Sequence, residues 1–438
     1  MEKDIHMSKR LSISEEKVLK VINENEREII SFLRSILRIP SVTGDEYEVQ
    51  QFVAEKFASM GLEIDMWEPD VEELKRHVAY CPKLFKDFRN RPVVVGKLKS
   101  SGHGRSMLLN GHVDVVDPGP IKEWTHDPWS AHIENDRVYG RGASDMKGGV
   151  VAIIMALDCI LKAGINLKGD VIIESVPDEE GGAKGCGGSG GTLSCVLRGY
   201  TADAGVVAEP TELVIAPVSR GVLLFKIEVK GRAAHAARAE LGVSAIEKAA
   251  KIYNSLVDLQ SIRKEDRKHP LLAKYPLYTP VIVGMFTAGN VATAVPGECV
   301  MKGEIGITPG ETVSEVKRQF EEHIQKTCEL DPWLRNHRPS VEYDNWAGSS
   351  EIPAGHSIVE VFSKAYQRVT SRNAVVEGVP YSSDVWLLTN YGDTPTITFG
   401  PGSIAQAHGR NEFVSLRNII AATRIFALSI LGWYGTNS

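Results

Sequence analysis

Short apolar runs of strand length alternate with helical segments through the first half of the chain. The strand candidates are LEIDMW, RPVVVGKL, SMLLNGHVDVV, GDVIIESV and AGVVAE, and the helix-like segments GGVVAIIMALDCILKAG and GTLSCVLRGY lie between the later ones. Buried strands that alternate with helices are typical of a mostly parallel sheet packed between helices. The sequence therefore predicts an α/β fold for this part of the chain.

Ahead of these strands the apolar residues follow a helical period. The period runs through EEKVLKVINENEREIISFLRSILRI, stops near Pro40 and resumes in DEYEVQQFVAEKFASMG. Gly61 stands where a glycine commonly ends a helix. We expect two helices in this region.

The pattern changes at about residue 218. From GVLLFKIEVKG to SVEYDN the segments follow the order strand, helix, strand, strand, helix, strand, which is the order of a ferredoxin-like α+β unit. After about residue 346 the α/β character returns in HSIVEVFSKAYQRV, TPTITFG and SLRNIIAATRIFALSILG. We therefore predict a discontinuous α/β domain at residues 1–217 and 346–438, interrupted by an inserted domain at residues 218–345.

Charge and composition argue against several classes of partner. The 438 residues include 56 acidic and 50 basic residues, with a net charge of -6 and no dense basic block, so we expect no nucleic acid partner. The N-terminal MEKDIHMSKRLS lacks an apolar signal core, and the longest apolar stretch is too short to cross a bilayer. The six cysteines form no CxxC pair, which favours buried free thiols. We expect a cytoplasmic protein with no membrane partner.

Residues that can bind metals stand just after the predicted strands. They are His112 and Asp114 in LLNGHVDVVD, Asp145 in GRGASDMKGG, Asp178, Glu179 and Glu180 in ESVPDEEGG, Glu209 in VVAEPTE, and His408 in GPGSIAQAHGRNEF. Open α/β sheets bind ligands beyond the carboxyl ends of their strands, so these side chains are expected to meet. Mixed imidazole and carboxylate ligands suit one or two divalent ions such as zinc, cobalt or manganese.

Electrostatics also favours cations at this place. Two like charges about 4 Å apart repel by ~1 kcal/mol in water and by ~4 kcal/mol at an effective dielectric of 20, so the three adjacent carboxylates of PDEEGG must be solvated or held by cations. Asp145, Glu180 and Glu209 together contribute about three negative charges, which two divalent ions and one bound hydroxide would balance.

Each of these residues also has an ordinary structural interpretation. Asp145 could be a helix N-cap, His112 a hydrogen-bonded core histidine and Glu209 a loop acid. For Asp178 we expect a solvated loop acid. The segment GCGGSG at 185–190 formally matches a dinucleotide-binding pattern, but it follows a run of acids rather than a strand end with positive potential, so we interpret it as a flexible loop.

The motifs in their order resemble those of the M20 metallopeptidase and deacylase family. The matching segments are GHVDVVD, YGRGASDMKGG, PDEEGG, AEPTE and AQAHGRNEF, with GRAAHAA in the inserted domain, and they span nearly the whole chain. The resemblance implies a hydrolase of linear amide bonds with two divalent metal ions, zinc first, cobalt or manganese as alternatives. It also implies that the inserted domain is a lid and a homodimerisation surface.

The resemblance implies a role for each matching residue. His112 and Glu209 would hold one ion, Glu180 and His408 the other, and Asp145 would bridge them. Asp114 would orient His112, and Glu179 would be the general base. His235, on the lid, would reach the developing oxyanion.

The resemblance transfers the chemistry better than the substrate. Two places that shape the substrate pocket in relatives differ here: Thr293 stands where many have asparagine, with Asn290 just upstream, and Asp384 is followed by Trp386 rather than arginine. We expect removal of a small acyl group from an N-acyl amino acid or similar amine, with acetylornithine deacetylase as the first named activity. The alternatives are a succinyl-diaminopimelate desuccinylase, a formylaminopyrimidine deformylase-like enzyme, a carboxypeptidase or dipeptidase, and a non-catalytic metal- or peptide-binding homologue.

Overall fold

The computed structural model describes residues 11–81, 87–100, 102–180 and 189–434. The chain divides into two compact units. The first unit comprises Met1–Pro217, Glu351–Glu377 and Ser383–Ser438, and the second comprises Val218–Ser350 and Gly378–Ser382. The sequence predicts an inserted domain at residues 218–345. The second unit also contains residues 346–350 and 378–382.

A six-stranded mixed sheet forms the centre of the first unit. Its strands in spatial order are Glu63–Trp67, Val93–Leu98, Val171–Val176, Met107–His112, Ala204–Val207 and Thr396–Thr398. The last four run parallel to one another, while the first two pair antiparallel at one edge. Every residue of those four parallel strands is buried, as expected for strands covered on both faces. The predicted α/β fold with a mostly parallel sheet is confirmed.

Helices cover this sheet. They are Ile13–Glu24, Glu26–Leu37, Tyr47–Ser59, Val71–Leu74, Lys147–Lys162, Gly190–Leu197, Ser357–Thr370, Val385–Asn390 and Leu416–Tyr434, and the remaining elements of the unit are the 3₁₀ turn Ile121–Glu123 and the three-stranded sheet of His132–Glu134, Arg137–Tyr139 and Phe413–Ser415. The C-terminal helix packs on Lys147–Lys162. It is long and apolar enough to cross a membrane, but 67% of its apolar window is buried inside the protein, as in the core helix of a folded domain.

The prediction of two early helices is wrong, because the first predicted helix is divided at Asn25. The side-chain amide of Asn25 donates to the carbonyl oxygen of Val21 at 2.7 Å, and its backbone has a ψ of 12°, outside the helical range. The helix therefore ends at Glu24 and a second begins at Glu26. The expected glycine at the end of the third helix is confirmed, since Gly61 has a φ of +73°.

The second unit is a four-stranded antiparallel sheet with two long helices. Its strands are Gly221–Lys230, Val281–Ala288, Glu298–Ile307 and Ser340–Ala347, its helices are Ala245–Asp266 and Val313–Glu329, and short elements lie at Val218–Ser219, Ala234–His235, Ala236–Leu241, Pro270–Leu272, Ala294–Val295 and Ser350–Glu351. In chain order these four strands take the spatial order 4-1-3-2. This is the topology of the predicted ferredoxin-like unit.

The cysteines are consistent with the sequence prediction. Cys81, Cys159, Cys195, Cys299 and Cys328 are buried, and none of these five is in a disulfide, while Cys186 lies outside the described residues.

Candidate metal centre

Four neighbouring parallel strands of the first unit lead into the predicted ligands. His112 ends the strand Met107–His112, and Glu179 and Glu180 follow Val171–Val176. Glu209 follows Ala204–Val207, and His408 lies beyond Thr396–Thr398. Because these strands are parallel and adjacent in the sheet, their carboxyl ends meet at one edge.

His112 lies at the centre of one group of carboxylates. Its Nε2 atom is 3.3 Å from Oδ1 of Asp145, 3.8 Å from Oε2 of Glu179 and 3.8 Å from Oε1 of Glu209. Ligand atoms of His112, Glu179 and Glu209 lie within 4.8 Å of one another, as do those of His112, Asp145 and Glu180. Both groups are compact enough to surround a metal ion.

Asp145 joins the two histidines. Its Oδ1 atom faces His112, while its Oδ2 atom is 3.5 Å from Nε2 of His408. That same Nε2 atom is 2.9 Å from Oε2 of Glu180. Asp145 is not a helix N-cap, because Met146 occupies that position and the Asp145 carboxylate is turned towards the two imidazoles. A carboxylate between two imidazoles has the arrangement of a ligand shared by two ions.

The environment of His112 selects its tautomer. Its Nδ1 atom lies 2.9 Å from the backbone carbonyl oxygen of Asp114. A carbonyl only accepts hydrogen bonds, so Nδ1 carries a proton and Nε2 is the ring nitrogen that faces the carboxylates and is available to a metal ion. The Asp114 carboxylate itself is 3.7 Å from Nδ1.

The Asp114 carboxylate instead holds the segment that carries the glutamates. It accepts hydrogen bonds from the backbone N–H of Glu179 at 3.2 Å and of Glu180 at 3.0 Å, and from the hydroxyl of Thr43 at 2.9 Å. Asp114 thus contacts His112 through its backbone and the two glutamates through its side chain. Sequence reasoning did not anticipate the second contact.

Burial and crowding of negative charge change the protonation of the cluster. Burial, together with neighbouring carboxylates, raises the pKa of Glu180 to about 7 and raises the pKa values of Glu179 and Glu209 well above their usual range. Hydrogen bonds to Asp145 and Glu180 raise the pKa of His408 to about 10. In the absence of cations the cluster therefore retains protons at neutral pH, and divalent ions would replace them.

Glu412 is a residue of this centre that sequence reasoning missed. It is buried, and its carboxylate accepts hydrogen bonds from the backbone N–H groups of Gly142 at 3.1 Å, Ser144 at 2.8 Å and Asp145 at 3.1 Å. Its fourth partner is the guanidinium of Arg141 at 2.6 Å. Glu412 therefore holds the turn that presents Asp145. The available signal was an acid four residues after His408 in HGRNEF.

The expectation that Asp178 is solvated is wrong. Asp178 is 5% exposed, and its carboxylate lies 3.1 Å from the guanidinium of buried Arg91. The partner was not apparent in the sequence because the two residues are 87 positions apart.

Of the other predicted residues, His235 and Thr293 belong to the second unit, whereas Asp384 belongs to the first and interacts electrostatically with Glu179 and Glu209. His235 is exposed in the second unit, where its Nδ1 atom accepts a hydrogen bond from the backbone N–H of Ala237 at 3.1 Å. Thr293 is close to it in that unit, because the carbonyl oxygen of Thr293 accepts from the backbone N–H of Ala236. Asp384 is buried in the first unit and accepts from the hydroxyl of Thr192. Most of the segment 185–190 lies outside the described residues.

The donor set fits divalent metal ions. It consists of two imidazoles and carboxylate oxygens, without thiolates, and its crowded acids are compensated only in part by protein cations. Imidazole and carboxylate are suitable ligands for zinc, cobalt and manganese. The residues present therefore suit the divalent ions that the sequence predicts.

Comparisons with known proteins are consistent with this geometry. The sequence model of "Peptidase family M20/M25/M40" matches residues 108–431. An N-formyl-4-amino-5-aminomethyl-2-methylpyrimidine deformylase of Bacillus subtilis (strain 168) is 30% identical over 445 residues, covering 94% of this chain and 96% of that protein. An acetylornithine deacetylase of Buchnera aphidicola subsp. Acyrthosiphon pisum (strain Tuc7) is 26% identical over 393 residues, covering 89% and 94%.

Solved structures show the same fold. The M20 family metallo-carboxypeptidase Sso-CP2 from Sulfolobus solfataricus superposes with a TM-score of 0.73 at 18% identity, covering 93% of this chain and 99% of that one.

Proposed function

Because this chain belongs to peptidase family M20/M25/M40 and is thus a hydrolase of amide bonds, we propose that it removes a formyl or other small acyl group from the nitrogen of an amine. The single observation that carries this proposal is the meeting of His112, Glu180, Glu209 and His408 around Asp145, with Glu179 beside them. The fold alone does not require so many acidic side chains to lie together at the ends of four strands.

The proposed ligand assignment is the one that the family resemblance implies, and the distances are compatible with it. His112 and Glu209 would hold one ion, Glu180 and His408 would hold the other, and Asp145, which lies between the two imidazoles, would be shared by both. Two divalent ions bound there supply Lewis acidity and lower the pKa of a water molecule. Zinc is the first choice, and cobalt or manganese are alternatives.

Glu179 is the proposed general base. It takes a proton from the water that attacks the amide carbonyl and passes this proton to the leaving nitrogen, so that the products are a carboxylate and an amine. Asp114 supports this role, since its carboxylate holds the backbone of Glu179.

His235 is the proposed donor to the oxyanion. Its Nδ1 atom accepts a hydrogen bond from a backbone N–H, so in the neutral ring the proton is on Nε2. A donor of this kind stabilises the negative charge that develops on the carbonyl oxygen.

A formylated aminopyrimidine is the substrate we propose first, ahead of acetylornithine. The deformylase relative is more similar and covers more of this chain than the acetylornithine deacetylase does. N-Acyl amino acids remain the second choice. We also propose that the enzyme is cytoplasmic, since its described cysteines are reduced and buried.

An assay with purified protein tests this function. The panel contains a formylaminopyrimidine, acetylornithine, succinyl-diaminopimelate and dipeptides, each with added zinc, cobalt or manganese, with amine release as the measurement. We expect metal-dependent release from the formyl compound at the highest kcat/KM. Release from acetylornithine alone would overturn the substrate, and no release from any amide with both metals bound would overturn the hydrolase.

We further propose a homodimer formed through the second unit. One face of this unit exposes large apolar side chains on the helix Ala245–Asp266 and the edge strand Val281–Ala288. This apolar face consists of Ile246, Tyr253, Val257 and Phe286. The rings of Tyr253 and Phe286 are in edge-to-face contact, so helix and strand contribute to one surface. An edge strand beside an exposed apolar helix face suits pairing with a second copy.

A further inference from the structure

A buried arginine of the first unit binds two carboxylates. Arg91 is 2% exposed, and its Nε and Nη2 atoms each lie 2.8 Å from a different oxygen of Glu46. Its Nη2 atom also lies 3.1 Å from Oδ1 of Asp178, and the guanidinium rests 4.9 Å above the ring of Phe88. Since an arginine keeps its charge in proteins, this side chain is a fixed cation between two buried acids.

Asp178 is the residue immediately before the two glutamates of the metal centre. Its φ of +71° is in the left-handed region, where the chain changes direction. Its carbonyl oxygen accepts from the backbone N–H of Ser189 at 2.9 Å, and its carboxylate accepts from that of Gly190 at 3.4 Å. A Cβ atom on Gly190 would lie 2.5 Å from the ring of Phe88, so glycine permits this close approach.

The two glutamates that follow this turn face different histidines. Oε2 of Glu179 faces Nε2 of His112 at 3.8 Å, whereas Oε2 of Glu180 faces Nε2 of His408 at 2.9 Å. Their backbone N–H groups are held from one side by Asp114. The other anchor of the segment is the side chain of Asp178, and Arg91 is the cation that binds it.

We propose that Arg91 is a positioning residue of the metal centre, which acts through Asp178 to fix the directions of Glu179 and Glu180. The catalytic part of this inference rests on the proposed function, whereas the metal-binding part does not. Arg91 contacts Asp178 directly, so its effect on the two glutamates passes through the turn.

Arg91 can have this effect because it is hydrogen-bonded to both Glu46 and Asp178 and balances their charge. Without the guanidinium, Glu46 and Asp178 would be two buried carboxylates that have lost a shared cation. One of them would turn away from the other, and the left-handed turn would lose its side-chain anchor. Lysine would restore the positive charge. Its single nitrogen cannot make both contacts with Glu46 and also reach Asp178.

The test compares Arg91→Met, Arg91→Lys and Asp178→Asn with wild type in two measurements. The first is zinc affinity for both sites by competition with a chromophoric chelator. The second is kcat and KM for the best amide substrate at saturating zinc. For Arg91→Met we expect zinc affinity and kcat each to fall by about 10- to 100-fold, the usual effect of removing a group that orients metal ligands, with little change in KM. Arg91→Lys should recover part of both losses.

The matched control is Glu46→Gln, which removes a charge from the same buried network but leaves the contact of Arg91 with Asp178. This variant should have a lower melting temperature than wild type. Its zinc affinity and kcat should stay close to those of wild type. The double variant Arg91→Met/Asp178→Asn should be no worse than Arg91→Met alone, because the two residues act as one unit.

Two results would overturn the inference. One is an Arg91→Met protein that folds and binds zinc as tightly as wild type. The other is an equal loss of zinc affinity in Glu46→Gln, which would mean that the arginine stabilises the fold only. If wild type hydrolyses no amide, the proposed function fails, but the zinc titration still decides the role of Arg91.

Discussion

The carboxylate of Glu412 accepts a hydrogen bond from the backbone N–H of Asp145 at 3.1 Å, across 267 positions of sequence. The same carboxylate pairs with buried Arg141. The residue between the two histidines is therefore held in place by the C-terminal part of the chain.

Replacement of Glu412 should damage both stability and metal binding. Glu412→Ala leaves Arg141 buried without its carboxylate, and breaking a buried ion pair costs about 3–5 kcal/mol of unfolding free energy. We expect a loss of this size in urea denaturation and a zinc affinity about 10- to 100-fold weaker. Glu134→Gln, at an exposed position of the same unit, is the control and should change neither. An unchanged zinc affinity would remove Glu412 from the support of Asp145.

Replacement of Glu179 should separate proton transfer from metal binding. Glu179→Ala should keep two ions per chain and lower kcat by about 10²- to 10⁴-fold, the usual contribution of a general base. Elemental analysis and steady-state kinetics on the same sample provide the measurement. Because Glu179 also lies within reach of His112 and Glu209, loss of one ion would identify it as a ligand instead. Unchanged turnover would refute the base.

His408→Ala should have the opposite pattern. His408 is the imidazole that lies next to Glu180 and Asp145, so its removal should reduce the metal content from two ions to one and lower turnover with it. Elemental analysis after dialysis measures this. The exposed His132→Ala is a suitable control because it changes a histidine of the same unit. Full occupancy in His408→Ala would count against the proposed ligand set.

Metal should stabilise the protein more at higher pH. Glu180 has a folded-state pKa of about 7, above its ordinary 4.5, so the metal-free folded state binds more protons than the unfolded chain between these values. Its contribution therefore makes the metal-free protein less stable as pH rises through this window. His408, with its pKa raised to about 10, acts in the same direction.

Bound ions replace these protons, so they should remove the loss. We expect the difference in melting temperature between zinc-loaded and chelator-treated protein to grow from pH 5.5 to pH 8, measured by scanning fluorimetry. A difference that is constant or shrinks over this range would show that these carboxylates are not the ligands.

A charge on the apolar face of the second unit should break the proposed dimer. Phe286→Asp places a charge beside Tyr253 on the edge strand, and we expect light scattering to report half the mass of wild type. Leu330→Asp is the matched control, since Leu330 is 85% exposed in the same unit but outside this face. A monomeric wild type, or a dimer that survives Phe286→Asp, would contradict the proposed surface.

The sequence predicted the features that depend on local pattern. Apolar runs such as GDVIIESV predict the strands. The acids and histidines that follow these runs predict the cluster around Asp145, because parallel strands bring their carboxyl ends together. Local pattern could not show the division at Asn25, which depends on one side-chain amide bonding back to Val21. Apolar spacing continues across that point.

The supporting contacts were not predictable for a different reason. Arg91 and Asp178 are 87 positions apart, and Glu412 and Asp145 are 267 positions apart. No spacing rule joins residues at such separations. The sequence alone therefore predicts that Asp178, beside two glutamates, is a solvated acid. Only the folded chain shows which cation it meets.

The late position of His408 has a consequence for synthesis on the ribosome. Chains fold from the N-terminus as they emerge, so the strands that carry His112, Glu180 and Glu209 and the whole inserted ferredoxin-like unit are made before this histidine and Glu412. A nascent chain can thus offer an ion only an incomplete set of ligands. Loading of both ions is expected to follow completion of the polypeptide, and C-terminally shortened products would be released without a finished centre.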